Sequence, residues 1–338
     1  MSVSLRDVAN AAKVSVGTVS NVLNRPEIVS PSTLSRVRAT IKELGFVPNG
    51  AARQLRSGYS RTLGLVVPDV SNPFFTEVAR GVEDAARKRD YAVFLCNSDE
   101  SIEKEDRYIK VLMEQQFRGV LITPADVKAD RIEALRDRGI CVTLLDRELK
   151  GRDQCSVSVD DVHGGQMGIE YLASLGHKNI AWVCGPENIP QVADRGAGVA
   201  KAAKVASVEI TTVRVPLMNA AKGEEAAREI LSLKKLPSAI FCANDLLALG
   251  VMRELLSQGK RIPEQFAIIG YDDIEFAPSA AVPLSSISQP AYQIGVTAAD
   301  LILDECEDGE NHTHQQIKFQ PRLVERASTN RAKVVGHE

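Results

Sequence analysis

Residues 4 to 24 constrain this chain more than any other stretch, because apolar side chains fall at helical spacing twice in quick succession around a tight polar break. Ser4 stands where a helix would be capped and Asp7 where it would complete a capping box, while Val8, Ala9 and Ala12 share one face. Lys13 and Val14 make the break. Ser15 is placed to cap a second helix in which Val19, Val22 and Leu23 point inward. That leaves Val16, Gly17, Thr18, Ser20, Asn21 and Asn24 outward, a small and polar face of the kind that fits a DNA major groove. The pattern reads as a helix-turn-helix.

A helical pair of this size also occurs in ordinary bundles, and charge separates the two readings. Residues 1 to 60 carry eight Lys and Arg against three Asp and Glu, a balance of +5. Since the whole chain is −3, the remainder carries −8, as expected when one terminal module meets a polyanion. A further helix is predicted from Ser30-Pro31, with Leu34, Val37, Ile41 and Leu44 in phase and Gly45 as its stop. After Pro48-Asn49 comes one more short helical candidate, Gly50 to Arg56, too short to hold without a partner because isolated helices below about 12 residues are marginal in water.

Val14-Ser15, Thr18-Val19-Ser20, Val22-Leu23-Asn24, Gly45-Phe46, Pro48-Asn49 and Ala52-Arg53-Gln54-Leu55 stand in an order and spacing that resemble the headpiece and hinge of the lactose repressor/galactose repressor family. The resemblance implies a sequence-specific transcriptional regulator that binds double-stranded, near-palindromic operator DNA as a homodimer. The residues it assigns to DNA are Ser4, Val16, Gly17, Thr18, Ser20, Asn21, Asn24, Asn49, Ala52, Gln54 and Leu55. Leu55 matches the family's wedge at a central base step, commonly CpG, where an apolar side chain offsets unstacking by bending the duplex onto more protein. Val16 would touch a thymine methyl and Asn21 an adenine, with Thr18 and Ser20 on phosphates.

From Arg61 the chain alternates short apolar runs with helical periods, the pattern of parallel sheets covered by helices on both faces. Strands are expected at 63–67, 92–96, 119–122 and 142–145, and again at 180–183, 208–213, 239–242 and 267–270. An α/β chain of 338 residues suits a headpiece plus two linked lobes better than a single domain, given typical domains of about 100 to 200 residues. The expected division is an all-α headpiece at 1–48, a hinge at 49–60, a two-lobed sensor and dimerisation domain at 61–330 and a tail at 331–338. One lobe takes about 61–159 with 291–318, the other 160–290 with 319–330. This part resembles the periplasmic sugar-binding fold that the same family uses as its sensor.

Ligand chemistry in such a fold sits at the carboxyl ends of the strands. Asn72, Phe74, Phe75, Asp146, Arg147, Arg195, Asn244, Asp272 and Gln289 occupy those places, and together they match the family's ligand contacts in its ribose-binding subset. Carboxylate, guanidinium, amide and aromatic side chains are what a sugar needs, with hydroxyls that donate and accept and one apolar ring face. Singly, an Asp or Asn after a strand also caps the next helix, and Phe74 or Phe75 would serve as core. The implied effector is ribose or a related pentose or ribose-containing compound, with a nucleoside or purine corepressor as the alternative. Release from DNA is expected for a catabolic sugar and recruitment for a nucleotide-pool effector. Val199 stands where relatives usually carry an aromatic residue, Leu217-Met218 where another ring is common, and Pro186 to Ala193 matches no family pattern.

An α/β enzyme of sugar or nucleotide metabolism is the rival class, and no phosphate loop, GxSxG elbow or HExxH is present. No catalytic residues, cofactor or metal site are expected. Asp160-Asp161 and Asp272-Asp273 are adjacent pairs whose side chains should diverge, and His312-Thr313-His314 reads as solvated linker. The six cysteines show no close pairing and read as buried thiols. Without a signal-like N-terminus or a membrane-length apolar run, a cytoplasmic regulator is expected. The end of the chain carries no leucine heptads of the kind that tetramerise the lactose repressor.

Overall fold

A computed structural model describes residues 3–47, 60–125, 130–147 and 154–330. The chain divides into two compact units, 1–60 and 61–338. Asn49, Ala52, Gln54, Leu55 and the tail 331–338 lie outside the described residues.

Among its described residues the first unit has three α-helices, α1 (Leu5–Ala11), α2 (Val16–Asn24) and α3 (Pro31–Leu44), with a 3-10 turn at Pro26–Ile28. Ser4 and Asp7 form a reciprocal capping box, which satisfies donors that a seven-residue helix cannot bond internally. Ser15 caps α2 through the Thr18 amide at 3.0 Å. Ser30, by contrast, makes no side-chain cap; its hydroxyl turns to Thr33 at 3.0 Å, and Pro31 alone sets the start of α3. Gly45 closes α3 at φ +60°, a conformation a Cβ would strain. Val8, Ala9, Ala12, Val19, Val22, Val37 and Phe46 are buried together, so each short helix is ordered by the other two.

The second unit has two parallel-sheet lobes. In the first, β1 (Thr62–Val67), β2 (Ala92–Asn97), β3 (Gly119–Ile122), β4 (Cys141–Leu145), β5 (Cys155–Val159) and β11 (Gln316–Phe319) pair in the order β11-β5-β4-β3-β1-β2. Its helices are α4 (Pro73–Lys88), α5 (Ile102–Glu114), α6 (Asp130–Arg136) and α11 (Ala291–Glu307). The second lobe orders β12 (Arg322–Val324), β10 (Ser285–Ser288), β9 (Ala267–Asp272), β8 (Ala239–Cys242), β6 (Asn179–Cys184) and β7 (Glu209–Arg214) as β12-β10-β9-β8-β6-β7. There β12 runs antiparallel to β10 and the other pairs are parallel. Four helices cover it: α7 (Asp161–Ser174), α8 (Pro190–Ala206), α9 (Ala220–Leu231) and α10 (Asp245–Ser257).

The central strands are buried on both faces, as in Leu63 to Val67 and Ala239 to Cys242, which is why they read as unbroken apolar runs. Four strands escaped the apolar-run reading: β5 (CSVSV) and β10 (SSIS) are Ser-rich though largely buried, and β11 and β12 are four and three residues long. The chain passes between the lobes three times: at Asp160, at Gln289-Pro290, and at Gln320-Pro321.

Candidate functional site

In the headpiece, α2 presents Val16, Gly17, Asn21 and Asn24 to solvent, and Ser4 is exposed at the start of α1. Thr18 and Ser20 are half-buried, and Thr18 shares its hydroxyl with Ser15 at 2.9 Å. The Asn24 side-chain amide donates back to the Ser20 carbonyl at 2.7 Å, so of the two outward amides Asn21 is the one not engaged by its own helix. An exposed N-terminal turn bearing only Val16 and Gly17 lets the helix axis approach a groove closely.

In the second unit the carboxyl ends of the two sheets face each other across a cleft. Asn72, Phe74, Phe75, Asp146, Arg147, Arg195, Asn244 and Asp272 all line one small pocket of about 50 Å³ there, together with Pro68, Glu100, Ile189, Gln191 and Met218. It opens into a chamber of about 400 Å³ whose walls include Pro186, Ile189, Pro216, Leu217 and Met218. A separate and larger groove, about 830 Å³, runs along the outer side of Asp272 and Gln289 between Arg80, Glu275 and Tyr292. It gathers fewer buried polar groups than the cleft pocket.

Arg195, in the second turn of α8, is the electrostatic centre. Its Nε donates to Asp161 Oδ1 at 2.7 Å, its Nη1 donates to the Ala243 carbonyl at 2.7 Å and lies 3.9 Å from Asp272, and the guanidinium stacks 3.7 Å over the Tyr271 ring. The Tyr271 hydroxyl donates to the same Asp161 oxygen at 2.8 Å. Burial works against the Arg195 charge, but Asp161, Tyr271, Asp272 and Asp146 more than offset it and raise its pKa. Burial pushes Asp272 up to about 6 even though Arg195 opposes the shift. Asp146 rises to about 7, from burial first and then from repulsion by Asp161. Both aspartates also hold positive φ, +52° at Asp146 and +105° at Asp272, strain of the sort that accumulates at ligand sites.

Among the described residues three hydrogen bonds cross between the lobes at the cleft: Asn72 Nδ2 donates to Asp272 Oδ2 at 3.2 Å, and Gln191 Nε2 donates to Asp146 Oδ2 at 2.6 Å and to the Asp146 carbonyl at 2.7 Å. Gln289 donates to Asp272 Oδ1 at 2.7 Å from the interlobe crossing and is not among the residues lining the small pocket. Three buried polar atoms here, Arg147 Nε, Gln191 Oε1 and Gln289 Oε1, have no hydrogen-bond partner. Asn72 and Asn244 also cap helices, through the Phe74 and Leu247 amides, and Asn244 spends its amide nitrogen on the Met218 carbonyl. Phe74 is buried against Phe75, ring centroids 5.0 Å apart and edge-on.

Sequence reasoning missed Asp161 and Gln191. The dismissed pair Asp160-Asp161 does diverge, Asp160 capping α7, but Asp161 is the carboxylate that holds Arg195. Gln191 follows Pro190 in the loop and helix start that matched no pattern. Val199 is buried in the second lobe's core and is not among the pocket's residues, whereas Met218 lines the pocket in place of a ring. Asp245 positions the site from behind: its carboxylate accepts from Ser286 Oγ and the Ile274 amide, pinning the loop that carries Asp272. Gly164 and Gly165 matter for the same reason, since a Cβ would fall 2.1 Å from the Tyr271 hydroxyl or 2.1 Å from the Arg195 carbonyl oxygen. His312 and His314 are half-buried against Cys155 rather than lying in a solvated linker.

A groove-reading helical headpiece joined to a two-lobed, cleft-bearing receptor defines a ligand-responsive DNA-binding regulator. Residues 60–326 match the family described as periplasmic binding proteins and sugar binding domain of the LacI family, and residues 4–49 match the bacterial regulatory proteins of the lacI family. The chain belongs to the LacI family of bacterial transcriptional regulators and is a DNA-binding repressor, not an enzyme. It is 31% identical to the HTH-type transcriptional repressor PurR of Aliivibrio fischeri (strain MJ11), over 98% of this chain and 99% of that protein. The lac repressor dimer bound to operator and the anti-inducer ONPF superposes with a TM-score of 0.85 at 26% identity, covering 97% of this chain and 99% of that one. A LacI family transcriptional regulator from Enterococcus faecium with bound ribose superposes at 0.73 with 31% identity, covering 79% of this chain and 98% of that one. No helix among the described residues is long and apolar enough to cross a membrane.

Proposed function

We propose that this regulator is a cytoplasmic homodimer whose operator affinity is set by ribose, or by a compound presenting a ribose ring, bound between the lobes. The observation that carries the reading is the set of charged and amide groups at the small pocket: three carboxylates, Glu100, Asp146 and Asp272, line it with Arg147 and Gln191, which have unfilled hydrogen-bonding capacity, and Gln289, bonded to Asp272 just outside it, has an unfilled acceptor. Adjacent ring hydroxyls both donate and accept, so they satisfy carboxylate, guanidinium and amide at once. The ribose bound by the Enterococcus faecium regulator supports the choice. Phe94 and Leu95 stand exposed on β2, the edge strand of the first lobe, which supports a partner subunit along that edge.

A ribonucleoside is the second reading, favoured by the apolar walls of the adjoining chamber, Ile189, Leu217 and Met218, which suit a base. In either case effector and operator are linked through the lobes: the ligand's hydroxyls compete for Asp146 and Asp272, which otherwise hold the interlobe bonds to Gln191 and Asn72. A coupling of about 1 to 3 kcal/mol is typical, and it is reciprocal. The test is a thermal-shift panel of pentoses, hexoses, ribonucleosides and purines. Ribose or a ribonucleoside should give the largest stabilisation, because a ligand that binds only the folded state must raise apparent stability. A shift confined to hexoses or free purines refutes the ribose reading.

A further inference from the structure

Away from the cleft, at the amino ends of the first lobe's strands, a thiol, two imidazoles and a carboxylate converge. Cys155 opens β5, Glu305 lies in the last turn of α11, and His312 and His314 lie on the segment that leads into β11. His312 Nε2 is 3.1 Å and His314 Nδ1 3.6 Å from Cys155 Sγ, and the two rings meet edge-on at 5.1 Å. One ligand atom from each of the four residues falls within a sphere of contacts no longer than 4.8 Å. The sulfur sits on a fully buried residue, and Glu305 Oε2 is buried with no hydrogen-bond partner.

We propose that Cys155, Glu305, His312 and His314 form a four-coordinate site for a borderline divalent metal ion, with Zn2+ the best match. The donor set, one thiolate, two imidazoles and one carboxylate, is what a tetrahedral ion of that class takes, and its two negative ligands balance a divalent charge. Bonds of about 2.3 Å to sulfur and about 2.1 Å to nitrogen at a tetrahedral angle put S and N about 3.6 Å apart. His314 already stands at that separation, and His312 has only to draw back slightly. The His-Thr-His spacing works because alternate residues of an extended segment share a face, and Thr313 between them is exposed. Arg136 opposes the ion: its Nη2 lies 3.3 Å from His314 Nε2, and a metal on Nδ1 leaves a proton on Nε2, so that contact must be released on binding. An occupied site ties the start of β5 to the end of α11 and to the lead into β11.

The full-length untagged chain, reduced and stripped with EDTA, is titrated with Zn2+ against a chromogenic chelator and with Co2+ followed by absorption. One Zn2+ per chain is expected, with a thiolate-to-cobalt charge-transfer band that is lost in Cys155→Ser and kept in Cys141→Ser. The double variant His312→Ala/His314→Ala should lose about 100-fold or more in affinity, since even outer partners of metal ligands are worth 10- to 100-fold. Zn2+ should raise the melting midpoint of the wild type but not of the double variant. Equal melting of both in EDTA shows that the substitutions leave the fold intact, and the near-isosteric Cys155→Ser gives an independent reading if they do not. Substoichiometric binding, no charge-transfer band, a band that disappears with Cys141→Ser instead, or unchanged affinity in the double variant overturns the site.

Discussion

Arg195 and Asp161 form a buried pair, 5% and 6% exposed, and their coupling is open to direct measurement. Arg195→Met keeps much of the side-chain volume but removes the charge, the 2.7 Å bond to Asp161, the bond to the Ala243 carbonyl and the attraction to Asp272. Breaking a buried pair from one side costs about 3–5 kcal/mol because the partner charge stays buried. The hydrogen bond that Tyr271 still gives Asp161 places this case near the lower end, about 3 kcal/mol. Asp161→Asn keeps the shape and leaves Arg195 facing Asp272, so its loss is smaller, about 2 kcal/mol, the worth of a charged hydrogen bond. With both changes no charge is stranded between these two positions. The double variant should therefore lose about 3 kcal/mol rather than about 5, a coupling of about 2 kcal/mol. Urea unfolding without effector is the assay, read by the chain's single tryptophan, Trp182, which is buried in β6 of the same lobe against Phe241. Additive losses, or a cost below about 1 kcal/mol for Arg195→Met, would show that the pair is not what holds this corner together.

The protonation of the cleft gives a second expectation. The folded-state pKa of Asp272, about 6, lies above its ordinary 3.8, so the native state holds the proton more tightly. That contribution is present at low pH and is lost as pH rises through about 6, an effect of about 3 kcal/mol, with Asp146 near 7 extending the same slope upward. The urea midpoint of the effector-free protein should fall between about pH 4 and 7, and Asp272→Asn should flatten the part of the fall below about pH 6; a rising midpoint refutes the assignment. A third concerns the headpiece: operator affinity should drop steeply with salt through counterion release, and a chain lacking residues 1 to 60 should remain a folded dimer with no sequence-specific DNA binding. Specific binding retained by that truncation would remove the operator-reading role from α2.

Helical phase and capping chemistry made the headpiece legible, since Ser4, Ser15 and Gly45 act locally and need no tertiary context. The first-lobe strands β1 to β4 were legible because burial on both faces writes an apolar run. β5 was not. Its Ser156 and Ser158 are 1% and 6% exposed, yet alternate serines read as a solvated edge, and without a strand there Asp161 had no strand end to belong to. Eight of the nine residues expected to meet an effector line one pocket, and the ninth, Gln289, donates to Asp272. The histidines at 312 and 314 were misread for a related reason: the thiol that draws them inward lies 157 residues away from the first of them.

The three short interlobe crossings also fix what kind of motion the receptor can make. Asp160 alone, Gln289-Pro290 and Gln320-Pro321 are too short to stretch, and a proline ring in two of them restricts φ, which is −80° at Pro290. Three inextensible struts rooted in neighbouring strands forbid sliding and leave essentially one degree of freedom, an opening angle about the line they define. Gln289 is itself part of one strut and grips Asp272, so an effector touching that carboxylate acts at the pivot. Rotation about that line moves the ends of the strands opposite the cleft, where β1 begins, further than the ends at the cleft.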